Sequence, residues 1–169
     1  MVDMRNTVHP VAKNPYAAVT NSDVIVSQSF DRGHTWSAPV ALALAGDQWM
    51  PWGAYDTSGR LRIGTFDRQY DAANHKYDYS VATETGSGTL AFTTSKVSTV
   101  SSDPTTGDRW FARTVNPSFP FATSFIGDYS NIAALPSGGV AAYWTDLRET
   151  ACFGSRCGQG EDAFFATSP

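Results

Sequence analysis

Apolar residues along this chain come in short runs broken by glycine, serine and threonine, and no stretch keeps a 3.6-residue period long enough for a helix. Three segments share one layout: Asp23-Val-Ile-Val-Ser-Gln-Ser29, Asp78-Tyr-Ser-Val-Ala-Thr-Glu84 and Asp162-Ala-Phe-Phe-Ala-Thr-Ser168. Each opens on Asp, continues with aromatic or β-branched residues mixed with small ones, and closes on a polar residue. A second pair aligns without a gap, Gly53 to Asp67 against Ile132 to Asp146. In both members a Ser-Gly turn joins two strand-like runs, and the second run ends on Asp. The pattern predicts an all-β repeat protein.

One turn is spelled out more fully than the rest. Residues 29 to 36 read Ser-Phe-Asp-Arg-Gly-His-Thr-Trp and fit S-x-D-x-G-x-T-W at every defining position, Ser29, Asp31, Gly33, Thr35 and Trp36. Ser29 and Asp31 carry short oxygens that accept hydrogen bonds from turn N–H groups. Gly33 supplies a positive φ that a Cβ would resist. Thr35 and Trp36 restart a strand, and the indole is large enough to anchor the hairpin in a core. Thr85 to Phe92 looks like a worn copy that keeps glycines and the final aromatic but has lost the Asp. The octapeptide resembles the Asp-box, or BNR repeat, of bacterial sialidases and related β-propellers, where it pins a turn and has no catalytic role.

The resemblance implies an all-β fold, a sialidase-like β-propeller fragment of four-stranded blades, each a meander from inner strand A to outer strand D. A partial blade covers 1–46, with B at 6–13, C at 22–29 and D at 38–44. The next blade, 47–99, runs A (50–56), B (60–67), C (77–84) and D (93–99). A long loop spans 100–128, and the final blade, 129–169, runs A (129–135), B (139–146) and C (161–168). The first blade lacks its innermost strand and the last its outermost, as in the C-terminal portion of a larger ring. Open blade edges of this kind call for cover, from the missing N-terminal blades or from a second copy.

In such a meander the A–B and C–D turns share one end, and the B–C and D–A connections share the other, where propellers of this family build their sites. The loop 100–128 far exceeds the ordinary connection of roughly 4–6 residues. It holds Asp103, Asp108, Arg109, Trp110, Arg113, Phe119 and Phe121, a mixture suited to sugars, whose rings stack on aromatics and whose hydroxyls bond charged groups. Packing on the next blade with the aromatics inward is the alternative.

Tyr129, in Gly127-Asp-Tyr-Ser-Asn-Ile132, is the candidate nucleophile by the resemblance, with the adjacent Asp128 as candidate base. A sialosyl cation carries its own carboxylate, so a phenol avoids the repulsion a carboxylate nucleophile would meet. A free phenol titrates near ~10 and needs a base to activate it. Asp128, one residue away, points to the other face of an extended strand. The alternative for Tyr129 is an inner-strand ring filling the channel.

Sialidases also grip the substrate carboxylate with arginine forks. Arg68, Arg109, Arg113 and Arg148 lie on the expected end, with Trp110 as a stacking partner, whereas the family's first arginine and acid/base aspartate belong to blades this chain lacks. Arg148 also has the alternative of pairing with Asp146 to fix its loop. Glu84, Glu149 and Glu161 fit poorly in spacing as the glutamate that activates the tyrosine.

Cys152 and Cys157 are spaced to close a small disulfide ring. A C-x4-C pair without further Cys or His is a poor zinc half-site, and His9, His34 and His75 are scattered. Asp67, Asp71 and Asn74 offer oxygens to calcium or cap turns; no other cofactor is expected. A disulfide implies an extracellular or periplasmic protein. Met1 leads into Val-Asp-Met-Arg-Asn with no apolar leader, so the signal is expected to lie with the missing blades. Charged residues are 17 %, aromatics 13 %, and the net charge is −4, which speaks against a nucleic-acid partner; no apolar stretch is long enough for a membrane span. Two functions stay open: an exo-α-sialidase-type glycoside hydrolase acting on terminal sugars, and a non-catalytic BNR propeller binding glycans or proteins.

Overall fold

The computed structural model describes residues 2–5, 22–104 and 129–168. The described residues form twelve strands and no helix, an all-β chain. Strands β1 (Val2–Arg5), β2 (Asp23–Val26) and β3 (Val40–Ala41) make a first antiparallel sheet in the order β1-β2-β3. A four-stranded meander follows: β4 (Gln48–Tyr55), β5 (Leu61–Asp67), β6 (Asp78–Glu84) and β7 (Phe92–Lys96), in order. The third sheet orders β12 (Asp162–Ser168), β9 (Val140–Asp146) and β8 (Asn131–Ala134), with a separate hairpin of β10 (Thr150–Phe153) and β11 (Arg156–Gln159).

The meander sheet lies between the other two. Val24, Val26 and Leu42 pack on its Leu61, Ile63, Ala82 and Leu90. Its Phe66, Tyr77, Tyr79 and Val81 pack on Ile132, Val140, Ala142 and Trp144 of the third sheet. Every residue of β5 is buried, because both of its faces meet a neighbouring sheet. Its polar positions Arg62, Thr65 and Asp67 are therefore buried along with Leu61, Ile63 and Phe66. The stacking has one tight point at Gly64, where an added Cβ would collide with the Tyr79 hydroxyl and the Ile132 side chain. There the strand gives up its side chain so that the Tyr79 ring can lie across it, stacked on Trp144 at 5.4 Å.

The gapless alignment becomes a structural identity. Gly53 pairs with Ile63, Ala54 with Arg62 and Tyr55 with Leu61. At the aligned positions Ile132 pairs with Ala142, Ala133 with Ala141 and Ala134 with Val140. The turns repeat as well: the Gly59 N–H donates to the Asp56 carbonyl at 2.9 Å, and the Gly138 N–H to the Leu135 carbonyl at 2.9 Å. Asp56 adds a cage the second turn lacks, since its carboxylate accepts the Ser58 and Arg60 N–H groups and the Arg60 and Arg62 guanidinia. The buried Arg62 also donates to the Gly138 carbonyl, which ties the two turns together.

Departures from the expected strands are local. The expected strand 6–13 lies outside the described residues, and the strand beside β2 is Val2–Arg5. The strand expected at 38–44 is only two residues long, at Val40–Ala41. The connection 147–160, expected as a loop holding the Cys152–Cys157 ring, contains the hairpin β10–β11. β4 begins before residue 50 and carries a register shift between Trp49 and Trp52, where Met50 adopts φ 49°, a bulge that bends an edge strand.

Candidate functional site

The octapeptide folds from its own oxygens. Ser29 Oγ accepts the Gly33 N–H at 2.7 Å and donates to Asp31 Oδ1 at 2.8 Å. Asp31 accepts the Thr35 N–H at 2.8 Å and the Thr35 hydroxyl at 2.7 Å. The Thr35 hydroxyl and N–H, with the Ser29 hydroxyl, hold the Asp31 carboxyl down at about 2. Gly33 sits at φ 89°. Trp36 departs from expectation: its indole N–H turns back to the Gly33 carbonyl at 3.1 Å, so the ring stays 46 % exposed and anchors no core.

At the opposite end of the sheets lie three of the expected site residues, Arg68, Arg148 and Tyr129. Arg68 pairs with Asp47 at 3.1 Å and lies 5.2 Å from the centre of the Trp49 ring. Asp47 is shared further: it accepts the Ser22 N–H and the Asn74 side-chain amide, each at 3.0 Å. This knot joins the start of β2, the start of β4 and the 68–77 loop. Arg148 grips Asp146 with two nitrogens, at 2.9 and 2.6 Å, donates to the Thr99 hydroxyl at 2.8 Å and stacks on Phe164 at 4.1 Å. Its bonds to Asp146 push the guanidinium pKa up. Arg148 thus pairs with Asp146 at the start of its loop.

Tyr129 leads into β8 with 79 % of its surface exposed. Its neighbour Ser130 is buried and donates to the Met50 carbonyl at 3.2 Å, which fixes the entry of β8 against the bulge in β4. Asp128, Arg109, Trp110 and Arg113 lie outside the described residues. Glu84 is at the far end of β6, where its two oxygens accept the Leu61 and Leu90 N–H groups at 3.0 and 2.8 Å. It serves as a clamp between the 56–60 turn and the 85–91 turn.

Asp71 and Asn74, two of the three residues considered for calcium, turn their oxygens to the chain itself. Asp71 accepts the Ala73, His75 and Lys76 N–H groups, the bonds from Lys76 and His75 lowering its pKa most. Asn74 turns to Asp47, accepting its N–H at 3.1 Å. Among the described residues no three His, Cys, Asp or Glu side chains gather as a metal site. Cys152 and Cys157 are joined as a disulfide across facing positions of β10 and β11. No described helix is long and apolar enough to cross a membrane.

Two features escaped sequence reasoning. Asp67 and Asp78 face each other, buried, across β5 and β6. Ser98, Ser101 and Lys96 bind Asp78, while Asp67 Oδ2 has no hydrogen-bond partner among the described residues; the repeated Asp at strand ends was the available signal. The other is a set of exposed aromatics, Phe30, Trp52 and Tyr55, which a strand pattern assigns to a core. No protein family, no curated protein and no solved structure was found to match the chain.

Proposed function

We propose that the chain is a portion of a sialidase-like β-propeller that binds glycans at its loop end without hydrolysing them. The Asp-box hydrogen bonds, the face-to-face sheets and the repeated register support the propeller. The observation that carries the choice between binding and hydrolysis is the commitment of Arg68 and Arg148 to Asp47 and Asp146. A guanidinium already paired and stacked has to break that pair before it can fork to a substrate carboxylate, and leaving a largely buried aspartate unpaired costs several kcal/mol, roughly 3–5. The exposed rings of Tyr129 and Trp52 remain as surfaces for a sugar face. The Cys152–Cys157 bridge supports export to an oxidising compartment.

The test uses sialyllactose and lactose as probes, with calorimetry for binding and a fluorogenic sialoside for turnover. The expected result is saturable binding, weakened in Tyr129→Ala, with no turnover. Absence of binding to both probes overturns the proposal. So does turnover that Tyr129→Phe abolishes, which would restore the nucleophile and the hydrolase.

A further inference from the structure

A cavity of about 360 Å³ opens at the turn end, between the Asp-box hairpin and the turns of the meander sheet. A neighbouring open recess of about 330 Å³ shares Gln28, Phe30 and Tyr55 with it and is lined further by Arg32, Gly33 and Trp36. Phe30 is 84 % and Tyr55 66 % exposed. Rings of this size contribute much when buried, so leaving Phe30, Tyr55 and Trp36 exposed around one recess marks a surface built for contact.

The walls are held in place without a ligand. Gln28 donates its side-chain amide to the Gly88 carbonyl at 2.9 Å, bridging two turns far apart in sequence. The Phe30 ring lies over Gly88, where an added Cβ would stand 3.3 Å from its Cζ. The Ser29–Asp31–Thr35 bonds fix the loop that carries Phe30. Together the two chambers fall within the size range of small-ligand sites, ~300–1,000 Å³.

From these features we infer a second binding site, for a neutral glycan, with one pyranose ring on Phe30 and Tyr55 and the next between Tyr55 and Trp36. A pyranose has a flat C–H face and a rim of hydroxyls. The aromatic rings match the face, and Ser27, Gln28 and Ser87 along the walls match the rim. An ammonium ligand is disfavoured although aromatic rings attract cations. Among the described residues the one carboxylate lining either chamber, Glu84, is buried with both oxygens bonded to backbone N–H groups and so offers no counter-ion, and the one charged side chain of the second chamber, Arg32, would repel a cation. The site stands at the opposite end of the sheets from Tyr129 and does not rest on the loop-end proposal.

The experiment titrates the 169-residue protein with cellobiose, N-acetyllactosamine and choline chloride, following backbone amide shifts and tryptophan fluorescence. A disaccharide is expected to saturate with a Kd below about 10 mM and to move the amides of Gly33, Gly88 and Tyr55. Phe30→Ala and Tyr55→Ala should each weaken it about tenfold with melting temperature unchanged, and Phe165→Ala, on a distant sheet face, should leave it intact. Three results overturn the inference: no disaccharide binding, choline bound at the same amides instead, or disaccharide shifts confined to Tyr129, Trp52 and the loop end. The last would leave the loop-end proposal standing alone, whereas loss of the loop-end site with retention of turn-end shifts would do the reverse.

Discussion

Asp67 and Asp146 are aligned positions of the internal repeat, and the residue that caps Asp146, Arg148, aligns with Gln69. Both aspartates accept the backbone N–H two residues on, at 3.0 Å from Gln69 and 2.9 Å from Arg148. Only Arg148 adds a guanidinium. The same strand end is therefore neutralised in the third sheet and left as an uncompensated buried carboxyl in the second. Burial, and to a lesser degree the charge of Asp78, push the Asp67 carboxyl above its ordinary value.

A group whose pKa rises on folding favours the fold when protonated and opposes it once ionised. Asp67→Asn should therefore stabilise the protein at neutral pH, by about 1 kcal/mol, the scale of a buried polar group left unpaired. The gain should vanish as pH falls below 3.8, the ordinary Asp value, where both states of the parent are protonated. Urea unfolding of parent and variant at pH 7 and at pH 3 measures this; equal stability at pH 7 contradicts it.

Most of the strand plan was legible because turn chemistry and Asp-ended runs repeat at matching positions, so that β4–β5 and β8–β9 could be placed by alignment alone. The hairpin β10–β11 was hidden because Gly-Ser-Arg-Cys-Gly reads as loop and a single cross-link makes the pairing. Trp36 misled because size suggests burial, whereas its N–H found a partner in its own turn. The pairing of Arg68 with Asp47 was not legible either, since it depends on how the 68–77 loop folds back over the start of β4.

Gly64 is where two sheets meet with no room for a side chain. Gly64→Ala should destabilise the protein by about 1–3 kcal/mol, the usual cost of overpacking, and should disturb the Tyr79–Trp144 stack. The loss should be read both in thermal unfolding and in the near-ultraviolet circular dichroism of those rings. A silent substitution would mean that the third sheet does not press on β5 at this point.

The 29–36 turn depends on backbone shape at Gly33 and on charge at Asp31. Gly33→Val should cost about 1–3 kcal/mol, because a β-branched residue resists φ 89°. Asp31, lowered by its Thr35 and Ser29 bonds, contributes stability above the unfolded value of 3.8 that is lost as pH falls toward about 2. An acid titration of the Asp31 carboxyl followed by NMR should show a midpoint near that lower value, moving back toward 3.8 in Thr35→Val.

The Cys152–Cys157 ring is short, so its loss should cost no more than about 2 kcal/mol by loop-closure entropy. The double Cys→Ser variant should lose protection of the β10–β11 amides from hydrogen exchange while β5 and β6 keep theirs. Unfolding of the whole chain on reduction would show that the hairpin supports more than itself.

Arg148 separates a structural arginine from a substrate clamp. Its two bonds to Asp146, its bond to Thr99 and its stack on Phe164 all serve the fold. Arg148→Ala should therefore destabilise the protein, by roughly 3–5 kcal/mol if Asp146 is left ionised without a partner, and should leave the sialyllactose affinity of the folded fraction unchanged. A clamp predicts the reverse, with stability close to the parent's and affinity for sialyllactose falling while lactose is unaffected. Arg148→Ala/Asp146→Ala removes both charges and distinguishes them further. It should recover much of the lost stability if the pair is structural, because no buried carboxylate remains, and it should recover no affinity if Arg148 holds the ligand.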